Sequence, residues 1–242
     1  MLIPSEQDFA QAVALWREWN GRINVISRKD EDNIFAHHIL HSLAIAQYLE
    51  LFYPSASPSA TGKGPVSGPQ WADCTGIARP KACPEGDYLQ PKEPGTTILD
   101  VGTGGGFPGI PLAMVMPWAK FTLCDSIGKK VKVAQAVSEG LGLKNVECVN
   151  ARVESLPGQW DWVVSRAVTS LENFYPWVKG RFRRSILYLK GGDIDTEIAI
   201  LRKKYHIPTA NIRTWRIDSW LKDEYFAEKF VIEVGKNYLC TP

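Results

Sequence analysis

The chain has 242 residues, a formal net charge of +2, an apolar fraction of 45% and a charged fraction of 22%, which is the composition of an ordinary globular protein. No window approaches the roughly 18 uninterrupted apolar residues of a membrane span, and the first residues lack the basic leader and apolar core of an export signal. The 5 cysteines are scattered without a Cys-x-x-Cys pair, so we expect reduced thiols in a cytoplasmic protein rather than a disulfide frame or a zinc site.

The N-terminal part, residues 1–53, predicts a helical extension in front of the main domain. Apolar residues recur at helical spacing from Phe9 to Trp16. Ser5 is the expected N-cap of this first helix, and Asn20 is its expected last residue.

A linker at residues 24–27 leads to a second expected helix, which Asp30 or Asp32 would cap and which runs through Leu49. This helix carries three histidines, and a metal site would need a carboxylate or cysteine one turn away on the same face. None is expected there, so we predict no metal site. The histidines are His37, His38 and His41.

Residues 54–96 differ abruptly in composition from the rest of the chain. They hold 8 of the 16 prolines and 6 of the 20 glycines, with 4 charges of each sign. Such a segment buries little apolar surface. We therefore predict a mobile surface insertion between the helical extension at 1–53 and a core at 97–242.

From residue 97 onward, strand and helix patterns alternate. This order predicts an α/β fold with a Rossmann-like, doubly wound, mostly parallel sheet and an antiparallel C-terminal edge. The expected strands span 98–101, 120–124, 145–149, 162–165, 185–189, 212–217 and 229–234. The expected helices span 110–116, 128–141 with Ser126 as cap, 171–179, and a last one from Asp193 or Asp195 to Tyr205.

A glycine-rich loop joins the first core strand to its helix within residues 98–111. An aspartate lies near the strand end, and 4 glycines occupy the five positions from Gly102 to Gly106. A dinucleotide-binding loop would have a third glycine where this chain has Phe107, and a Walker loop would have a lysine that this stretch lacks. The pattern Asp-x-Gly-x-Gly-x-Gly is instead typical of class I methyltransferases, which bind S-adenosylmethionine. A glycine such as Gly104 lets the backbone pass close under the ligand.

Ligands of such sheets collect at the carboxyl ends of the strands, where this chain has several polar residues. Asp125 follows the second strand, where its carboxylate could accept both ribose hydroxyls or serve as a charge at a helix N-terminus. After the third strand, the backbone amides of Val153 and Glu154 could meet the adenine edge while the Val153 side chain packs on its face. Arg166 follows the fourth strand, closest to the expected position of the transferable methyl group.

The sequence at the end of the fourth strand excludes several kinds of methyl transfer. It reads Ser165-Arg166-Ala167-Val168 instead of the Asp/Asn-Pro-Pro-aromatic sequence typical of exocyclic-amine methylation. Cytosine C5 methylation needs a cysteine nucleophile, and none lies between Cys148 and Cys240. A ring nitrogen with a free lone pair needs no base, and alignment with the methyl donor supplies most of its rate.

The charge is unevenly distributed along the chain. Residues 1–53 hold 4 basic and 7 acidic side chains, whereas residues 97–242 hold 20 basic and 15 acidic ones. A basic core is compatible with RNA as substrate, and equally with an ordinary solvated surface. Two basic clusters could contact phosphates or act as helix C-terminal cations, namely Arg181, Arg183 and Arg184, and Arg202, Lys203 and Lys204.

The glycine loop belongs to a longer motif, Leu-Asp-Val-Gly-Thr-Gly-Gly-Gly-Phe-Pro-Gly-Ile-Pro-Leu-Ala at residues 99–113. The chain also carries several shorter motifs, which are Asn20, Asn24-Val25, His38-Ile39-Leu40, Ser42-Leu43, Asp125-Ser126, Lys129-Lys130, Arg152-Val153-Glu154, Ser165-Arg166-Ala167 and Leu189-Lys190-Gly191. In these motifs the chain resembles the bacterial small-subunit ribosomal RNA guanine-N7 methyltransferases, a family also called glucose-inhibited division protein B. The resemblance covers nearly everything outside residues 54–96, although His41 stands where the family often has aspartate, and residues 132–134 lack the usual aromatic.

The resemblance implies that the chain methylates N7 of one guanine in small-subunit ribosomal RNA, with S-adenosylmethionine as cofactor. It implies cofactor contacts at Gly102, Phe107, Val153, Glu154 and Arg166, to which the residue patterns add Gly104 and Asp125. RNA contacts are expected at Asn24, His38, Arg166 and Lys190. We expect a monomer whose partner is the ribosomal RNA or the small ribosomal subunit.

Two other functions stay open on the residues alone. A small-molecule O- or N-methyltransferase of the same fold would have an activity insensitive to salt, because it makes no phosphate contacts. A non-catalytic RNA-binding assembly factor with a vestigial pocket would bind RNA but show no cofactor binding in calorimetry. The unbroken glycine loop argues against this last alternative.

Overall fold

The computed structural model describes residues 3–53 and 95–235. The insertion predicted at 54–96 therefore lies outside the described residues, except for its last two positions. Within the described ranges, no helix has the length and apolar character needed to cross a membrane.

A seven-stranded sheet forms the centre of the fold. Its strands are β1 (Thr97–Val101), β2 (Lys120–Asp125), β3 (Val146–Asn150), β4 (Trp160–Arg166), β5 (Phe182–Gly191), β6 (Ile212–Arg216) and β7 (Lys229–Gly235). Their order across the sheet is β3-β2-β1-β4-β5-β7-β6. Neighbours among β1 to β5 pair in parallel, whereas β7 runs antiparallel to both β5 and β6. The predicted mostly parallel sheet with an antiparallel C-terminal edge is confirmed.

Helices cover both faces of this sheet. They are α1 (Ala10–Asn20), α2 (His41–Phe52), α3 (Gly109–Val115), α4 (Gly128–Gly140), α5 (Leu171–Val178) and α6 (Ile194–Tyr205). Successive strand residues point to opposite faces, so Ile98 and Leu99 belong to different hydrophobic clusters. The Ile98 cluster contains residues of α1 to α4, and the Leu99 cluster contains residues of α5 and α6. Because the crossovers change face between β1 and β4, the carboxyl ends of these strands form the point where ligands collect.

The first helix of the extension begins with Ser5 at the N-cap position, as predicted. The backbone N–H and the hydroxyl of Ser5 donate to Asp8 Oδ2 at 2.9 and 2.8 Å. A 3₁₀ turn, Glu6–Phe9, leads from there into α1. The helix ends at Asn20, whose side-chain oxygen accepts hydrogen bonds from two backbone N–H groups of the following linker, at 2.9 Å each.

The second predicted helix is present, but its first half is not α-helical. A 3₁₀ segment, Arg28–Asn33, is followed by a π-helical segment, Ile34–Leu40, and only then by α2. The N-cap position of the 3₁₀ segment belongs to Ser27 rather than to Asp30 or Asp32. The Asp30 carboxylate is bound by histidines instead.

A buried carboxylate attaches the extension to β7. Glu233 is 4% exposed and accepts hydrogen bonds from the hydroxyls of Tyr48, Tyr53 and Ser185 at 2.6, 2.5 and 2.7 Å. Arg213 lies 3.5 Å from the same carboxylate. A buried charge with this many donors is well satisfied, so the extension and the core share a polar anchor as well as an apolar cluster.

Both predicted basic clusters lie at the amino ends of the strands, opposite the carboxyl edge. Arg181, just before β5, donates to two backbone carbonyls, and Arg183 pairs with Asp161 at 2.9 Å. The cluster at 202–204 forms the last turn of α6, where cations are favourable. Arg181 and Arg183 therefore have internal partners, whereas phosphate contacts by the exposed residues 202–204 stay a prediction.

Candidate active site

Asp100 fixes the glycine loop from the end of β1. It is fully buried, and its Oδ2 atom accepts hydrogen bonds from the Thr103 hydroxyl at 2.6 Å and the Gly109 N–H at 2.8 Å. These bonds tie the start of the loop to the start of α3. The other oxygen, Oδ1, is buried without a hydrogen-bond partner among the described residues. Burial raises the pKa of Asp100 to about 7, although both hydrogen bonds oppose the shift.

The glycines of the loop have different surroundings. Gly104 has a φ of +57°, and a Cβ there would meet no atom of the described residues within 4 Å. At Gly102, with a φ of +70°, a Cβ would lie 2.5 Å from Val168 beyond the end of β4. At Gly105 it would lie 2.8 Å from Val25 of the extension. Gly104 is thus open to a ligand, whereas Gly102 and Gly105 allow protein neighbours to pack closely.

Asp125, the last residue of β2, borders the open side of the loop. Its Oδ2 atom accepts a hydrogen bond from the Gly104 N–H at 2.9 Å, and Oδ1 accepts one from the Ile127 N–H at 2.8 Å. The carboxylate therefore lies beside the ligand position and also caps the turn before α4. The predicted cap Ser126 is wrong, because Ile127 occupies the N-cap position and Asp125 provides the acceptor.

Two apolar residues near the ends of β2 and β3 differ in their exposure. Val153 is 4% exposed and its side chain packs in the Leu99 cluster, so its packing on an adenine ring stays a prediction. Ile127 is 42% exposed and lies two residues beyond Asp125. The predicted contacts through the backbone amides of Val153 and Glu154 stay predictions.

The ring of Phe107 joins the glycine loop to the extension. It is 4% exposed and stacks on Trp16, with ring centroids 4.2 Å apart. The Trp16 Nε1–H donates to the Gly105 carbonyl oxygen at 2.7 Å. Sequence reasoning missed this contact because the partners lie 89 residues apart. The Phe107 ring is a packing element, so a cofactor contact at this position would come from its backbone.

Arg166, the last residue of β4, is held by histidines of the extension. Its Nη2 atom donates to His38 Nδ1 at 2.8 Å. His38 Nε2–H donates to Asp30 Oδ2 at 2.7 Å, and His37 Nδ1–H donates to Asp30 Oδ1 at 2.5 Å. The expectation that no carboxylate accompanies these histidines is wrong, because 3₁₀ and π winding returns Asp30 to them. In the described ranges, no group of three or more His, Cys, Asp or Glu residues could hold a metal ion.

Backbone strain directly follows Arg166. Ala167 has a φ of +49°, in the left-handed region that residues other than glycine rarely adopt. Its N–H donates to the Leu189 carbonyl at 3.2 Å. Strain of this kind costs roughly 1–2 kcal/mol and concentrates at functional sites. It sets the direction in which the chain leaves β4 next to the arginine.

The residues expected to contact RNA differ in their surroundings. Asn24 is exposed on the linker after α1. Lys190 forms an ion pair with Glu197 at 2.8 Å and donates to the Thr169 carbonyl at 3.1 Å. Both ring nitrogens of His38 have protein partners. These internal bonds argue against direct RNA contacts by Lys190 and His38.

Replacing Asp100 with Asn should alter the pH dependence of stability. The folded-state pKa of about 7 lies above the ordinary value of 3.8, so the folded protein retains this proton longer than the unfolded chain as pH rises. The stability contributed by Asp100 is present below about pH 4 and is lost as the pH rises through about 7. Asp100→Asn does not titrate, so the wild type should lose unfolding free energy relative to this variant across that range. Urea unfolding at several pH values measures the difference, and parallel profiles would contradict the assignment.

The residues at this edge fit S-adenosylmethionine. The carboxylates of Asp100 and Asp125 favour a cationic ligand, and Asp100 Oδ1 is a buried acceptor with no partner in the described ranges. A Cβ at Gly104 would meet no described atom within 4 Å, so the absence of a side chain there leaves space for the ligand. Ile127 adds an exposed aliphatic surface beside them.

Comparisons with known proteins agree with this fit. Residues 86–216 match the family described as rRNA small subunit methyltransferase G, GidB. The chain is 39% identical over 238 residues to the ribosomal RNA small subunit methyltransferase G of Christiangramia forsetii, covering 95% of this chain and 90% of that protein. It is 38% identical to the protein of the same description from Flavobacterium psychrophilum, with the same two coverages of 95% and 90%.

A solved structure supports the fold alone. Magnesium protoporphyrin IX methyltransferase from Synechocystis PCC 6803 with bound S-adenosylmethionine has a TM-score of 0.56 at 14% identity, covering 98% of this chain and 100% of that chain. The expected class I methyltransferase fold is thereby confirmed. The family match spans the glycine loop and the ends of β2, β3 and β4. The chain therefore belongs to the rRNA small subunit methyltransferase G family and is a methyltransferase with S-adenosylmethionine as its cofactor.

Proposed function

We propose that this enzyme transfers the methyl group of S-adenosylmethionine to N7 of a guanine in small-subunit ribosomal RNA. The observation that carries the proposal is the end of β4, which presents Arg166 beside the open glycine loop. Ser165 is fully buried there, and its hydroxyl is committed to the Val101 carbonyl at 2.7 Å. This strand end therefore offers a cation but no base. A guanine N7 carries a free lone pair and needs none.

The proposed cofactor contacts follow from these surroundings. The backbone at Gly102, Gly104 and Phe107 would line the methionine and ribose, and Asp125 would accept the ribose hydroxyls with its remaining lone pairs. Ile127 would pack on the adenine ring, whose edge would meet the backbone of Val153 and Glu154. Arg166 would border both the cofactor and the incoming base.

The chain's own contribution to the reaction is orientation. S-adenosylmethionine, when bound, supplies an electrophilic methyl group on a sulfonium. Asp100 and the loop fix where the donor lies, and Arg166 can donate to the guanine O6 without touching N7. Holding the two reactants in line converts a bimolecular step into an effectively unimolecular one, which accounts for most of the acceleration we expect.

For the RNA we propose contacts by Asn24 and Arg166. Lys190 is held in its ion pair with Glu197, so we do not propose it as a direct RNA contact. His38 acts on the RNA only through the hydrogen bond that it accepts from Arg166. We expect the enzyme to act as a monomer in the cytoplasm, on the ribosomal RNA or the small ribosomal subunit.

A methyl-transfer assay tests this substrate class. The protein is incubated with methyl-labelled S-adenosylmethionine and either small-subunit ribosomal RNA, small ribosomal subunits or a panel of small-molecule acceptors. We expect label in the RNA and a rate that falls steeply with salt, because phosphate contacts release counterions. Salt-independent transfer to a small molecule would support the alternative enzyme. RNA binding without cofactor binding would support an assembly factor.

A further inference from the structure

Asp30, His38 and Arg166 form a hydrogen-bonded chain that ends beside the glycine loop. Asp30 Oδ2 lies 2.7 Å from His38 Nε2, and His38 Nδ1 lies 2.8 Å from Arg166 Nη2. The side chains of His38 and Asp30 are only 12% and 27% exposed. The chain thus runs from the 3₁₀ segment through the π-helical segment to the end of β4. π-helical turns are rare and are often found at functional sites.

The partners of His38 determine its tautomer. A guanidinium can only donate, so His38 Nδ1 accepts and the proton of the neutral ring lies on Nε2, facing Asp30. Burial, together with the Arg166 guanidinium, lowers the pKa of His38 to about 4, although Asp30 opposes the shift. Near neutral pH the Nδ1 lone pair is therefore available to Arg166.

Asp30 is well suited to hold this ring. Partial burial raises its pKa, but the hydrogen bonds from His37 and His38 outweigh burial, so the pKa lies below its ordinary value. The carboxylate is thus charged near neutral pH and accepts from both histidines. His37 is held in turn by a stack on Tyr225, with ring centroids 3.6 Å apart and an interplanar angle of 6°. Asp30 and His37 of the extension, together with Tyr225 of the core, therefore hold His38 in place.

The orientation of Arg166 depends on this support more than on its own strand. Its Nη2 donates to His38, and its Nη1 is 3.4 Å from the His37 carbonyl oxygen. Its guanidinium carbon lies 5.1 Å from the centroid of the Phe107 ring, at cation–π distance. The hydrogen-bond partners both belong to the π-helical segment of the extension.

We propose that His38 is a positioning residue, which accepts a hydrogen bond from Arg166 in a tautomer fixed by Asp30 and thereby orients the guanidinium toward the acceptor guanine. This inference rests on the proposed function and deepens it. It replaces the expected direct contact of His38 with RNA by an indirect role. Without the acceptor, a buried arginine N–H loses its partner and the guanidinium can take other rotamers. A misplacement of about 1 Å can reduce a rate about 100-fold.

A matched pair of variants tests the proposal. Asn and Leu have nearly the same shape, but His38→Asn keeps an acceptor oxygen near the position of Nδ1, whereas His38→Leu has a methyl group there. We expect His38→Leu to lower kcat at least about 10-fold more than His38→Asn, an effect of misorientation. The dissociation constant for S-adenosylmethionine should be similar in the two variants, because both lose the same contact of the His38 ring with Phe107, whose ring centroids lie 5.1 Å apart. Equal losses of kcat in the two variants, or none in His38→Leu, would overturn the proposal.

A second measurement requires neither activity nor a folded variant. Long-range ¹H–¹⁵N NMR of the wild-type protein reports which nitrogen of the His38 ring carries the proton. We expect a protonated Nε2 and an unprotonated, hydrogen-bonded Nδ1 near neutral pH, and a protonated Nδ1 would refute the proposal. If the wild type failed to methylate ribosomal RNA, the proposed function would fall, whereas the NMR result would still decide the geometry of His38.

Discussion

Gly104→Val should abolish measurable binding of S-adenosylmethionine. The introduced side chain would project into space that holds no described atom within 4 Å, which is where we place the ligand. We expect the dissociation constant to rise by about 100-fold or more, which corresponds to ~2.8 kcal/mol. Isothermal titration calorimetry with the cofactor or its demethylated product measures this change. Unchanged affinity would contradict the placement of the ligand at the loop.

Gly142→Val provides a matched control for backbone strain. Gly142 has a φ of +68°, and a Cβ there would likewise meet no described atom within 4 Å. It lies just beyond the C-terminal end of α4, a helix about 20 Å long at 1.5 Å per residue, whereas Asp125 precedes the N-terminal end. Both substitutions force valine into the left-handed region, at a cost of roughly 1–2 kcal/mol. Both variants should therefore lose similar thermal stability, but only Gly104→Val should lose cofactor affinity.

Trp16→Ala should both destabilise the protein and weaken cofactor binding. The indole is fully buried, stacks on Phe107 and donates to the Gly105 carbonyl. Truncation of a buried tryptophan costs about 3–5 kcal/mol, which in a chain of this size lowers Tm by roughly 10 °C. The loop also loses the contact that fixes Gly105, so the cofactor must reorder it. Thermal melting and calorimetry with cofactor measure the two effects.

Trp16→Phe separates the ring stack from the hydrogen bond. It keeps an aromatic ring against Phe107 but leaves the Gly105 carbonyl without the indole donor, at a cost of roughly 1–2 kcal/mol. We expect most of the stability to be retained and part of the cofactor affinity to be lost. Full affinity in both Trp16 variants would show that the extension does not support the loop.

The polar residues at the strand ends could be predicted because the fold places them together. Asp125 and Arg166 each follow an apolar strand, and the carboxyl ends of parallel strands meet at one edge. In the structure, the Asp125 carboxylate accepts a hydrogen bond from the Gly104 N–H. The Arg166 guanidinium lies over the ring of Phe107 in the same loop. Phe107 was also informative in the sequence, since it excluded the dinucleotide template.

The contacts between the extension and the core could not be predicted in this way. Helical periodicity places Trp16 on the apolar face of the first helix but cannot identify its partner, because the Gly105 carbonyl is 89 residues away. The sequence predicts Asp30 as a helix cap because it carries no signal for the 3₁₀ and π winding that turns this side chain toward the histidines. Both cases concern the direction of a side chain, which depends on tertiary packing.

Methyl transfer to guanine N7 in small-subunit ribosomal RNA is tested most directly by one measurement. Small-subunit ribosomal RNA is methylated with labelled cofactor by the wild type, with Gly104→Val as the inactive control, then digested to nucleosides and separated. We predict that the label appears as 7-methylguanosine. Label on a ring carbon, an exocyclic amine or a ribose, or equal label from Gly104→Val, would contradict the account.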